Sequence, residues 1–151
     1  MQSTESRVFV ASRDVGVSGN PARQARKILQ ALFVALPVIA GLDKFSTILV
    51  DWPIYLAPAV RDVLPIGARE FMYIVGVVEI AAGAVVAMSP RVGGYLVAAW
   101  MFAIAINLVM HTNGYYDIAA RDVGLGLAAL ALARLSEGWR AQERPGATQP
   151  A

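Results

Sequence analysis

Seven side chains in this sequence carry groups able to do chemistry in an apolar setting: Asp43, Lys44, Glu79, Asn107, His111, Arg121 and Asp122. Asp43-Lys44 and Arg121-Asp122 are opposite-charge neighbours, while Glu79 and Asn107 each stand alone within an apolar run. An ionisable group costs at least about 2.5–3.5 kcal/mol at the centre of a spanning helix, so each one marks an ion pair, a ligand contact or a proton relay. His111, at i+4 from Asn107, reads as an interfacial hydrogen-bonding residue or as a contact for a quinone headgroup. It is the one histidine, so bis-histidine haem ligation is excluded, no HExxH pattern exists, and no metal site is expected. The absence of cysteine removes disulfides, thiol redox chemistry and iron–sulfur clusters. No nucleophile–base constellation, phosphate loop or nucleic-acid motif is present, so the chain is not expected to be catalytic by itself and nucleic acid is not an expected partner.

The elements that must position these groups are apolar runs. Of the 151 residues, 57% are hydrophobic and 16% charged, against about 25% charged in an average soluble domain. The mean hydropathy is +0.54. A spanning helix needs roughly 20 mostly apolar residues, and four runs qualify, at about 28–50, 70–88, 93–112 and 117–136. The expected fold is all-α: a transmembrane four-helix bundle over 22–136, between tails at 1–21 and 137–151. The first 21 residues lack an apolar h-region and do not read as a cleavable signal peptide. Between the first two runs, Trp52, Pro53, Tyr55, Pro58 and Pro65 predict an outer interfacial segment with one turn at Ala59–Leu64. Trp52, Tyr55, Tyr115 and Tyr116 read as an aromatic belt. Pro37 predicts a kink in the first helix.

Arg23, Arg26 and Lys27 crowd before the first run, as on a cytoplasmic flank. The two tails with their flanking Arg23, Arg26, Lys27 and Arg134, and the turn at 89–92, hold nine of the 13 basic residues, which predicts both termini in the cytoplasm. At about 1.5 Å per residue, Asp43 then lies roughly 22 Å above the inner start of the first helix and Asn107 roughly 20 Å up the third. Descending from outside, Asp122 lies about 8 Å down the fourth and Glu79 about 14 Å down the second. All four share the outer half of the bilayer. Gly76 and Gly83, at i−3 and i+4 from Glu79, and Gly126, at i+4 from Asp122, favour close helix approach on the same faces.

Two readings of this cluster stand side by side: an ion-pair clasp between helices, and a ligand pocket or proton relay. Glu79 leads the second, being deepest and without a local partner. Asp117 and Arg121, at i and i+4, are expected to form a helix-surface pair.

Gly41-Leu42-Asp43-Lys44-Phe45, Val75-Gly76-Val77-Val78-Glu79 with Gly83, Pro90-Arg91, and Tyr116-Asp117 with Arg121-Asp122 give the chain its likeness to a known family. Over roughly 25–136 it resembles the DoxX-like family of small four-helix membrane proteins. That resemblance implies a bundle in a bacterial cytoplasmic (inner) membrane. Some relatives are subunits of thiosulfate:quinone or terminal quinol oxidoreductases, and others are linked to membrane oxidative-stress complexes. It carries over no catalytic residue. The expected role is an accessory or quinone-contacting subunit of a larger redox or envelope complex, with no resident cofactor. The expected partners are the lipid bilayer, a membrane protein complex and, as a further option, a second copy of the chain. A small proton-coupled transporter and a purely structural scaffold are the alternatives.

Overall fold

The computed structural model describes residues 21–142, with side chains through Glu137. Helix α1 spans Pro21–Ser46, a 3-10 turn Trp52–Tyr55, α2 Pro58–Arg61, α3 Ala68–Met88, α4 Pro90–Val109 and α5 Tyr116–Gln142. No strand occurs among the described residues, so the all-α expectation holds. The expectations for residues 1–20 and 143–151 lie outside the described residues; α5 itself continues past 136.

Prolines open several of these elements, because the first turn of a helix needs no N–H from its first residue. Pro21, Pro58 and Pro90 stand first in α1, α2 and α4, and Pro53 stands second in the 3-10 turn. The turn expected at Ala59–Leu64 forms as α2 and the turn that follows it, and the 3-10 turn at Trp52–Tyr55 precedes it as a second. Pro37 lies inside α1, which continues through it. Helix α1 ends where Thr47 adopts φ 51°, the left-handed conformation that reverses a chain at a helix C-terminus. Only Ser89 separates α3 from α4. Gly114, at φ 60°, turns the chain between α4 and α5.

The long helices pack as two close pairs, α1 with α3 and α4 with α5, joined mainly through α3 and α4. A core of Phe33, Val86, Val97, Ala98, Ala129 and Leu132 fills the space between them. A smaller cluster of Ala105, Leu108 and Ala119 lies at the end of the bundle where the α1–α3 and α4–α5 connections sit, called here the loop end. Gly41 and Gly76 bring α1 and α3 into backbone contact. A Cβ added at Gly41 would lie 2.6 Å from the Gly76 carbonyl oxygen, and one at Gly76 would lie 2.7 Å from that of Gly41.

Helices α1, α3 and α4 are each long and apolar enough to cross a membrane. Ile28, Ile74, Val77 and Ile106 are more than half exposed, a surface suited to lipid rather than water. The chain is thus compatible with a multi-pass membrane protein. Helix α5 is as long, but Asp117, Arg121, Asp122 and Arg134 set it apart in composition.

Candidate functional site: a closed polar centre at the loop end

The glycine contact sets the geometry of the polar centre. Lys44 and Glu79 each follow their helix's contact glycine by three residues, so they emerge on the same side of the α1–α3 crossing. The Lys44 Nζ lies 2.6 Å from Glu79 Oε2, and the two side chains are 3% and 7% exposed. Two indoles close the pair off. Lys44 Nζ sits 3.7 Å from the centroid of a Trp52 ring, a cation–π contact, and Trp100 Nε1 donates to Glu79 Oε1 at 3.4 Å. The pair is thereby walled in by α1, the 3-10 turn, α3 and α4. Glu79, without a partner by sequence, has one from 35 residues away.

Asp43 points elsewhere, as its 100° offset from Lys44 around the helix requires. Its Oδ1 accepts from the backbone N–H of Ile48 at 3.0 Å and of Leu49 at 2.9 Å, and its Oδ2 from Val50 N–H at 3.3 Å and from Trp52 Nε1 at 2.8 Å. The carboxylate therefore gathers the N–H groups that follow the end of α1. Trp52 links the two neighbours, its N–H on Asp43 and its ring face on Lys44.

Asn107 fastens the other end of the same segment. Its Nδ2 donates to Tyr55 O at 2.7 Å, and its Oδ1 accepts from Ala57 N–H at 3.0 Å. Replacing Asn107 by alanine leaves both backbone groups unpaired, and should cost about 1–3 kcal/mol, read as a lowered thermal midpoint in detergent. Asn107→Asp keeps one acceptor and should fall between the two.

His111 and Arg121 lie apart from this centre. His111 Nδ1 accepts the Asn113 N–H at 3.1 Å, and its ring lies 4.8 Å from that of Tyr115, so it shapes the α4–α5 turn. Arg121 is 69% exposed along its side chain and reaches only Asp122, at 4.0 Å; the expected pair with Asp117 does not form. Asp122 is buried, makes no hydrogen bond among the described residues and lies within electrostatic reach of Glu79.

The structure thus brings together Asp43, Lys44 and Glu79, with Asp122 within electrostatic reach and Asn107 holding the α1–α3 connection at Tyr55 and Ala57. Sequence reasoning missed Trp52, read as a belt residue, and Trp100, which it did not single out. It also missed the surface cluster at the opposite end of the bundle, where Arg91, Tyr95 and Arg134 converge on the Glu137 carboxylate at 3.1–3.3 Å. Between α4 and α5 at the loop end runs an open, apolar cavity of about 490 Å³, lined by Phe102, Ile106, Met110, Tyr116 and Val123 among others. Among the described residues, no group of His, Cys, Asp and Glu side chains is arranged to hold a metal ion. No family model, curated protein or solved structure matches the chain.

Proposed function

We propose that this chain is a multi-pass protein of a bacterial cytoplasmic membrane, a bundle of four spanning helices with both termini in the cytoplasm, and that it works as an accessory subunit of a larger redox or envelope complex. The observation that carries this reading is the closure of the polar centre. Lys44, Glu79, Asp43 and Asn107 spend their hydrogen bonds on one another, on the Trp52 and Trp100 indoles and on the backbone, which closes the centre. Helix α5 supplies the fourth span in this reading: Val123–Ala133 is free of charge, Asp122 faces inward, and Arg134 sits at the end where the basic residues gather. The resemblance to the DoxX-like family supports the same role. The apolar cavity between α4 and α5 has the character to take the tail of a quinone, with His111 on the adjoining turn.

Purification of the tagged chain from native membranes in mild detergent, followed by mass spectrometry, tests the proposal. Stoichiometric recovery of an oxidoreductase or another envelope complex is the expected result. Recovery of this chain alone would overturn the subunit role.

A second reading, a proton-coupled carrier, has one observation in its favour: Asp122 is buried and, among the described residues, has Arg121 as its one ion-pair partner. In liposomes carrying the purified protein, the subunit reading expects no proton flux. A flux abolished by Asp122→Asn would establish the carrier instead.

A further inference from the structure

We infer that α5 docks against the α5 of a second copy of this chain through the face bearing Asp117, Ala120, Gly124, Leu127 and Ala131. This rests on the reading of α5 as a spanning helix. All five residues are exposed and recur at spacings of three and four, while Asp122, Gly126, Ala129 and Ala133 occupy the opposite, buried face. The face is apolar along most of its length and no other described element covers it.

Charge complementarity identifies the occupant. Asp117 enters no ion pair among the described residues, and the exposed Arg121 has only the 4.0 Å contact to its own neighbour. Two copies in one bilayer with the same topology place equivalent residues at equal depth. Around a two-fold axis each contact occurs twice, so Arg121 of each copy lies one turn below Asp117 of the other. Two reciprocal ion pairs then give each exposed Asp117 a cation and each exposed Arg121 a second carboxylate. A partner of other sequence would need to bring both signs at the same depths, which the second copy does without further requirement.

The packing around the glycines agrees. Gly41, Gly76, Gly83, Gly93, Gly94 and Gly126 each lie so close to a neighbouring helix that an added Cβ would collide or crowd it, whereas a Cβ at Gly124 would meet nothing within 4 Å. Close backbone approach in lipid depends on such small positions. Within one copy Gly124 has no packing reason to be glycine; between two copies it lies where the helices cross.

The chain contains no cysteine, so single substitutions test the interface directly. Oxidation in native membranes should link chains carrying Ala120→Cys, Gly124→Cys or Ala131→Cys into dimers of twice the chain mass, but not chains carrying Ile74→Cys on the exposed face of α3. Gly124→Ile should abolish linkage at Ala120→Cys while leaving the thermal midpoint of the detergent-solubilised monomer unchanged. Arg121→Asp and Asp117→Arg should each reduce linkage several-fold, and the two together should restore it. Equal linkage at Ile74→Cys, failure of the double exchange to restore, or linkage of α5 to a different protein would overturn the dimer. Alkaline carbonate extraction separates the two levels. Chains that resist extraction yet never link overturn the dimer and leave the spanning reading intact, whereas chains released by carbonate overturn the spanning reading itself.

Discussion

Replacing Glu79 by alanine should destabilise the folded chain by about 3–5 kcal/mol, the range for removing one member of a buried ion pair. The loss comes chiefly from what remains. Lys44 is 3% exposed along its side chain, its other oxygen contact is Ala40 O at 3.5 Å, and the face of Trp52 cannot replace a carboxylate. The bare ammonium must either stay desolvated or draw water into the α1–α3 crossing. Trp100 would lose the acceptor for its N–H as well. Glu79→Gln keeps an oxygen for one of the two donors, Lys44 or Trp100, and should cost less than Glu79→Ala. The pair Lys44→Met with Glu79→Leu removes both charges and should recover most of the loss, because apolar replacement of a whole buried ion pair is often neutral or stabilising. Thermal unfolding of the four proteins in one detergent measures this. A double variant no more stable than Glu79→Ala would mean that the pair does not act as a clasp. A double variant that folds but no longer recovers its complex would show that the charges also serve the partner.

What the sequence disclosed was the depth of these groups, and what it withheld was their direction. Hydropathy and helical rise placed Asp43, Glu79, Asn107 and Asp122 in one slab, because both depend on position along a helix alone. Pairing depends on rotation about each helix axis and on the order in which helices pack. The contact of Lys44 with Glu79 follows from the Gly41–Gly76 crossing, which only the folded chain reveals. The glycines did signal the right faces of α3 and α5, through their offsets from Glu79 and Asp122.

Trp52 shows a different limit. An aromatic residue next to a proline-rich segment fits a membrane belt equally well whether its ring faces lipid or turns inward. The turn inward is decided by the left-handed Thr47 and by Asp43 collecting the N–H groups after α1, a local device with no periodic signature. The short turn at Trp52–Tyr55, ahead of the expected one at Ala59–Leu64, has the same origin, since Pro53 starts a turn as readily as Pro58 does and Asn107 clamps the backbone between them. Helix α5 illustrates the third case. Its charges near the loop end and at Arg134 dilute its apolar composition, so the apolar run at 117–136 announces a helix while its packing along α4 becomes evident only in the fold.

Gly41→Ile should be the most damaging single change outside the ion pair, with a loss of about 3 kcal/mol or more. Ordinary overpacking of a core costs about 1–3 kcal/mol, because side chains shift to make room. Here the new Cβ would meet the Gly76 carbonyl oxygen at 2.6 Å and the Ile80 backbone nitrogen at 3.2 Å, and backbone held in a helix cannot turn aside. The helices must separate, and the separation acts at the point where Lys44 reaches Glu79 across 2.6 Å, so steric cost and loss of the ion pair arrive together. Gly76→Ala meets the same obstacle from the other side, at 2.7 Å from Gly41 O. Gly41→Ala and Gly76→Ala should therefore each destabilise despite alanine's better helix propensity, worth about 1 kcal/mol. Their double variant should lose less than the sum, because helices already parted by one methyl group accept the second. Additive losses in unfolding measurements would show that the two glycines act separately and that the crossing does not govern the polar centre.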